Sequence, residues 1–262
     1  MFQKLFRRVS ANIAAARDFS GPDGQRVYAV GDIHGRLDLL DSLLGQIEDD
    51  IADRPAQTIG LVFLGDLIDR GPDSAGVIAR LSSLHAFPAK ALFLLGNHEE
   101  ILLRVLAGEP GLAYDWLGFG GDACAESYGV PAAGLQAMSE ERIAEVLTAA
   151  IPPAHVDFLK SFGDTFRFGD YLFVHAGIRP GIPVEAQQPQ DLRWIRAPFL
   201  SDTHDHGFVV VHGHTISDGV ERRANRIGID TGAYRTGVLT ALVVEGSDIR
   251  FLATGSASVG CE

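Results

Sequence analysis

The chain has 262 residues, 46% hydrophobic and 21% charged, which suits one sizeable folded core and rules out a disordered tail. Its net charge of −12 excludes a general nucleic-acid binder, because such proteins displace counterions with basic surface. Cys124 and Cys261 stand outside any CxxC pairing, so neither a disulfide framework nor a thiolate zinc site is expected, and a reducing, cytoplasmic setting fits.

Residues 1–24 read as an N-terminal arm. Phe2, Leu5, Phe6, Val9 and Ile13 recur at helical spacing among Lys4, Arg7, Arg8 and Arg17, without the long apolar core of a signal peptide. A helix packed on the body, or a frayed end, is the preferred reading. Weak contact with an anionic membrane surface is the alternative. No apolar stretch approaches the ~18 residues needed to cross a bilayer. Gly21-Pro22-Asp23-Gly24 reads as a loop, and residues 25–262 as a single domain.

Beyond that loop, short apolar runs end in polar, glycine-containing clusters, most of them followed by helical patterns. Val27 to Val30 leads into Gly31-Asp32-Ile33-His34-Gly35, then a helix carrying Leu37, Leu40, Leu43, Leu44 and Ile47. Ile59 to Leu64 leads into Gly65-Asp66-Leu67-Ile68-Asp69-Arg70-Gly71-Pro72, then a helix that Asp73 can cap. Ala91 to Leu95 leads into Gly96-Asn97-His98-Glu99 and a helix to about Leu106. This alternation predicts βαβ units and a largely parallel sheet, its strands buried on both faces.

A helical insertion is expected over about 107–166: a glycine-rich stretch (Gly118, Gly120, Gly121), a helix from Ser139 to Ala150, a break at Pro152-Pro153 and a short helix through about Phe162. Strands return at Tyr171 to Val174 before His175-Ala176-Gly177, and at Phe208 to Val211 before His212-Gly213-His214-Thr215. Arg226 to Asp230 and Gly237 to Val244 follow, spaced too tightly for long helices, so hairpins and a second sheet are expected.

In open α/β sheets, ligands bind outside the carboxyl ends of the strands. A lone Gly-Asp after a strand is ordinarily a turn, and a lone histidine there ordinarily packs or faces solvent. Five such clusters would instead gather Asp32, His34, Asp66, Asn97, His175 and His214 into one site. Oxygen and imidazole donors without thiolate suit Mn²⁺, Fe or Zn²⁺. Two cations about 3.5–4 Å apart neutralise an anionic phosphate monoester and lower the pKa of a water between them. Such a pair needs a shared carboxylate, and Asp66 is the natural candidate. No GxxxxGK[ST] occurs, so no ATP-type loop cradles phosphate.

Gly31-Asp32-Ile33-His34-Gly35, Gly65-Asp66-Leu67-Ile68-Asp69-Arg70-Gly71 and Gly96-Asn97-His98-Glu99 resemble three signature motifs of the phosphoprotein phosphatase family of calcineurin-like metallophosphoesterases. His175-Ala176-Gly177 and Gly213-His214-Thr215 resemble its fourth and fifth, so the resemblance spans about residues 26–252. It implies an α/β fold: a β-sandwich of two mixed sheets flanked by helices, four layers in the order αββα, with a dimetal centre at the sheet ends. Asp32, His34 and Asp66 would hold one divalent metal, and Asp66, Asn97, His175 and His214 the other. Mn²⁺ is expected first, with Fe, Zn or Ni as alternatives.

The resemblance further implies His98 as general acid, oriented by Asp69, with a metal-bridging hydroxide as nucleophile. Arg70 would bind phosphate oxygens. Arg196, within Trp194-Ile195-Arg196, is preferred to Arg193 as the second arginine, and Tyr234 matches a tyrosine near the phosphate loosely. His212 is read as supporting or structural, and His85, His155, His204 and His206 as surface. Trp116 is read as core packing, with a place in a substrate groove as the alternative.

The expected activity is a bacterial-type serine/threonine protein phosphatase acting on a phosphorylated protein or peptide and, in vitro, on small aryl phosphates. The alternative is a symmetrical dinucleoside polyphosphate (diadenosine tetraphosphate) hydrolase. That family lacks the aspartate found here at Asp69 and has Asp in place of Glu99. A dead scaffold would have lost ligands, and none is missing.

Overall fold

The computed structural model describes residues 19–255 and 259–261, the last three by backbone alone. The amphipathic stretch expected over residues 2–17 lies outside the described residues. Residues 19–24, counted with the arm from sequence, are stitched to the body. Phe19 packs on apolar core, the Ser20 amide donates to Asp170 Oδ2 at 3.0 Å, and the Gly21 amide donates to the Gly246 carbonyl at 2.8 Å.

Strands β1 (Gln25–Val30), β2 (Thr58–Phe63) and β3 (Lys90–Phe93) run parallel, linked by helices α1 (Leu37–Asp53) and α2 (Ser74–Ser82). Helix α3 (Asn97–Leu106) follows β3. The expected continuous apolar strands are present because both faces are covered. Tyr28, Val30, Leu61 and Phe63 face the helices, while Val27, Ala29, Val62 and Leu64 face a second sheet. Helix α1 buries Leu40, Leu43, Leu44 and Ile47 on one stripe. Asp73 caps α2, accepting from the Gly76 amide at 2.7 Å.

The insertion contains α4 (Ala113–Trp116), a π turn over Leu117–Gly121, α5 (Asp122–Ser127), α6 (Glu140–Ala150) and α7 (Pro153–Lys160). It ends sooner than the sequence pattern indicates: Phe166 already pairs with Phe173 across β4 (Thr165–Phe168) and β5 (Tyr171–Val174). The remaining elements are α8 (Pro189–Trp194), β6 (Val209–His212), β7 (Val220–Arg222), β8 (Arg226–Gly228), α9 (Ala233–Thr236), β9 (Thr240–Glu245), β10 (Asp248–Ala253) and β11 (Val259–Cys261).

The two sheets are ordered β10-β9-β1-β2-β3 and β11-β7-β8-β6-β5-β4. Both are mixed. β9 and β10 return to the first sheet as an antiparallel hairpin, so that Val30 pairs with Phe63 on one side and Ala241 on the other. Three cores result: first sheet against helices, sheet against sheet, and second sheet against the α8 region. The layers therefore run α, β, β, α. No helix among the described residues is long and apolar enough to cross a membrane.

Phe63 is fully buried and stacks on Phe93 with ring centroids 5.0 Å apart. Phe63→Ala should cost about 3–5 kcal/mol, read as a lower urea midpoint at unchanged slope.

Candidate metal centre

Each predicted donor sits where an element stops or starts. Asp32 and His34 follow β1, Asp66 follows β2, Asn97 opens α3, His175 follows β5 and His214 follows β6. The turns are sharp enough to force unusual backbone. Five non-glycine residues among those described have positive φ: His34 (47°), Asp66 (50°), Asp69 (70°), Arg70 (67°) and His214 (62°). Such conformations cost on the order of 1–3 kcal/mol each and persist only where surroundings over-determine them.

Glu99 supplies much of that determination. Its carboxylate is fully buried and accepts four main-chain N–H bonds: Asp66 at 2.9 Å, Gly96 at 3.1 Å, Leu67 at 2.7 Å and Ile68 at 3.3 Å. The Asp66 carbonyl in turn accepts from Ile33 and His34 at 3.0 and 2.9 Å, tying the β1 and β2 loops together.

Asp66 lies at the middle. Its Oδ1 is 3.4 Å from His175 Nε2, and its Oδ2 is 3.6 Å from His34 Nε2. Two buried trios, His34–Asp66–His98 and Asp66–His175–His214, each bring their donor atoms within 4.8 Å of one another and share Asp66. Asn97 Oδ1 joins the second, 3.1 Å from His175 Nε2 and 2.8 Å from His214 Nδ1. Asp32 leans across to the same side, accepting from the His214 amide at 3.2 and 3.0 Å. Five of the predicted donors, Asp66 itself included, thus gather here, and Asp32 is joined to them through the His214 amide, while His98 stands in the first trio where Asp32 was expected.

The donor chemistry fits cations. His34 Nδ1 lies 2.8 Å from the Ile68 carbonyl, and His175 Nδ1 lies 2.8 Å from that of Leu64. A carbonyl only accepts, so each Nδ1 carries the proton and each Nε2 turns a lone pair toward the Asp66 carboxylate. Lone pairs facing a carboxylate repel unless a positive charge stands between them. Burial pushes His34 down to about 3, and burial with His175 pushes His214 down to about 2, so both rings stay neutral and ready to ligate. Burial opposes ionisation of Asp66, yet the surrounding imidazoles, of which His98 is the one whose pKa is raised, leave its pKa below the usual carboxylate range. Asp32 moves the other way, raised by burial and by the nearby Asp230 and Asp66 charges.

Beside this centre, His98 Nδ1 is 2.6 Å from Asp69 Oδ2. Burial lowers the His98 pKa, but Asp66 and Asp69 outweigh it and leave the pKa raised. Arg70 spans the mouth: Nη1 is 3.0 Å from His34 Nε2, Nη2 is 3.0 Å from His98 Nε2, and its guanidinium carbon is 5.0 Å from the Tyr234 ring. Arg70 and Tyr234 also line a cleft of about 680 Å³ with Gly35, Arg36 and Pro72.

The two candidate second arginines separate clearly. Arg193 is half-buried and committed to Asp164 at 2.7 Å and Glu100 at 3.3 Å. Arg196 is exposed, and its charge helps depress His175 and His214.

A sequence profile of the calcineurin-like phosphoesterases matches residues 25–237. The chain belongs to this family. Serine/threonine-protein phosphatase 2 of Escherichia coli is 28% identical over 226 residues, covering 82% of this chain and 91% of that protein. A symmetrical bis(5'-nucleosyl)-tetraphosphatase of Legionella pneumophila is 42% identical over 89 residues, which are 34% of this chain; the match spans 29% of that relative's length. A solved structure with the provisional description of a diadenosine tetraphosphatase superposes with a TM-score of 0.61 at 25% identity, covering 88% of this chain and 94% of that one. The four-layer architecture is that of the calcineurin-like phosphoesterases, and the His/Asp cluster around Asp66 has donors suited to a dimetal centre.

Other residues fall differently from their sequence reading. His206 is not a surface residue: its side chain is 7% exposed, with Nε2 3.5 Å from Asp202 Oδ2. His155 is half-buried against Tyr128, whereas His85 and His204 are exposed. His212 is buried with its ring edge-on to Phe199 and serves packing. Trp116 is fully buried, so it lines no groove, yet its indole Nε1 donates to Asp69 Oδ2 at 3.1 Å. Nothing local in the sequence marks that contact. Glu99 did carry a signal, since an acid three residues after Gly96 matches a helix capping box, and the Gly96 amide does donate to it.

Glu99→Gln keeps the size but turns a side-chain amide NH2 toward main-chain N–H groups. With two of them facing a donor, unfolding free energy should fall by about 2–4 kcal/mol, measured by urea titration.

Proposed function

We propose that this phosphoesterase is a serine/threonine protein phosphatase, and the observation that carries this reading is the buried 2.6 Å contact between His98 and Asp69. A serine or threonine alkoxide is a poor leaving group and needs a proton as the bond to phosphorus breaks. A nucleoside diphosphate, released from a dinucleoside polyphosphate, leaves readily without one. A carboxylate accepting from Nδ1 raises the ring's pKa and favours the doubly protonated imidazolium, whose Nε2–H is the donor the harder reaction requires. The match to the Escherichia coli phosphatase over 82% of the chain supports the same reading.

Asp32, His34, Asp66, Asn97, His175 and His214 would hold two divalent ions, Mn²⁺ by preference, which supply charge neutralisation and an activated water. Asp66 presents one carboxylate oxygen to each side. Arg70 offers a planar fork for two phosphate oxygens, and the exposed Arg196, whose charge is felt at His175 and His214, would supply the second guanidinium. Tyr234 flanks the Arg70 guanidinium and orients it. His98 delivers its Nε2 proton to the departing oxygen, while Asp69 keeps the ring aligned and offsets its charge.

A second reading, symmetrical dinucleoside tetraphosphate hydrolysis, is favoured by the 42% identical stretch shared with the Legionella pneumophila enzyme. Rates of the Mn²⁺-loaded protein on a phosphothreonine peptide and on diadenosine tetraphosphate decide between them. Faster peptide turnover is expected, and the reverse order would transfer the assignment.

His98→Asn should lower turnover of the peptide by roughly 10²–10⁴-fold and of p-nitrophenyl phosphate far less; equal losses would remove the acid role. Asp66→Asn should deplete both metals in elemental analysis, and full metal retention would contradict a shared ligand. Chelation should abolish activity, and Mn²⁺ should restore it.

A further inference from the structure

Asp69 is fully buried, and its Oδ2 carries two hydrogen bonds, one from His98 at 2.6 Å and one from the Trp116 indole at 3.1 Å. Among the described residues Oδ1 carries none, and the buried Cys124 thiol lies alongside the carboxyl. The indole is a neutral donor on the oxygen that faces the histidine and, with the Cys124 thiol beside it, holds the carboxyl in that orientation. Without it the carboxylate can rotate, and the His98 ring loses its reference.

The segment bearing Trp116 is built for this contact. Gly121 has ordinary helical backbone, but a Cβ there would stand 2.3 Å from the indole ring, so glycine clears space for the ring. One residue earlier, Gly120 has φ 102°, and its carbonyl accepts from the Arg70 amide at 2.9 Å. The neighbouring Phe119 carbonyl lies 3.4 Å from Arg70 Nε. The turn is fastened within the insertion by Glu140, which accepts from the Gly111 and Ala113 amides at 2.6 and 3.1 Å, and by the Tyr114 hydroxyl on the Met138 carbonyl at 2.7 Å. One short turn thus grips two consecutive residues, Asp69 and Arg70, both with positive φ.

We propose that Trp116 is a positioning residue for the proton donor, and that the helical insertion serves catalysis by holding Asp69 through this indole. The inference rests on the reading of His98 as the general acid.

Its test compares Trp116→Phe with His98→Asn in the full metal-loaded chain, on a phosphothreonine peptide and on p-nitrophenyl phosphate. Trp116→Phe should lower kcat on the peptide about tenfold more than on the aryl phosphate, with the loss in kcat rather than KM. If His98→Asn shows the selective loss and Trp116→Phe lowers both substrates equally or neither, the positioning role is overturned while the acid role stands. If His98→Asn itself loses equally on both, the acid role falls and this inference with it.

Should Trp116→Phe not fold, Gly121→Ala, which drives a methyl into the indole, takes its place with the same expectation. A second readout needs no turnover. In metal-free protein carrying ¹⁵N-labelled indoles, Asp69→Ala should move the Trp116 resonance and leave that of Trp194, which is bonded to Glu100 at 3.2 Å, in place. An unmoved Trp116 signal would overturn the proposal.

Discussion

Imidazole lone pairs and a carboxylate brought face to face in a buried space are mutually repulsive, and the rest of this structure exists to hold them so. Asp66 has a histidine nitrogen on each side, and both rings are locked with their proton-bearing nitrogens turned away onto main-chain carbonyls. Rotating either ring would relieve the repulsion and lose the trap. The carbonyls of Leu64 and Ile68 that prevent it flank Asp66 in its own loop, so this stretch supplies both the central carboxylate and the two tautomer locks.

Holding that loop taxes the fold, because its conformation is one that side chains ordinarily avoid. The expense is met by the Glu99 carboxylate below, by cross-links to the β1 loop, and by the insertion above. Rigidity of this kind is what a site needs when its cations must be placed within fractions of an ångström. It also explains why backbone strain, rare elsewhere among the described non-glycine residues, is gathered in residues that face the centre.

Much of this was legible in the sequence, for a local reason. An apolar run that stops at glycine and a metal-type donor encodes both a strand and what its end presents, so Asp32, His34, Asp66, Asn97, His175 and His214 could be named without coordinates. Pairing partners were less legible, because register depends on distant segments. That β9 and β10 join the first sheet follows from how Val30 meets Ala241 across some two hundred residues of chain, not from any nearby pattern. The insertion boundary at Phe166 slipped for a related reason: β4 is four residues long, and only its partner β5 reveals it. Trp116 was invisible as a support because a tryptophan in a short helix looks the same whether its nitrogen meets a carboxylate or another donor's neighbour. His206 was misread since nothing nearby announces the packing that covers it.

Because the donors are delivered at the tips of five elements, the lengths of chain between those tips carry no geometric information about the trap itself. Thirty residues or eighty can pass between two tips without altering where they meet. Evolution can therefore lengthen, trim or replace such excursions, as with the helical one after α3, and so refashion what surrounds the mouth while the inherited ion-binding framework stays as it was. Diversification of clients on this scaffold need not begin at the metals.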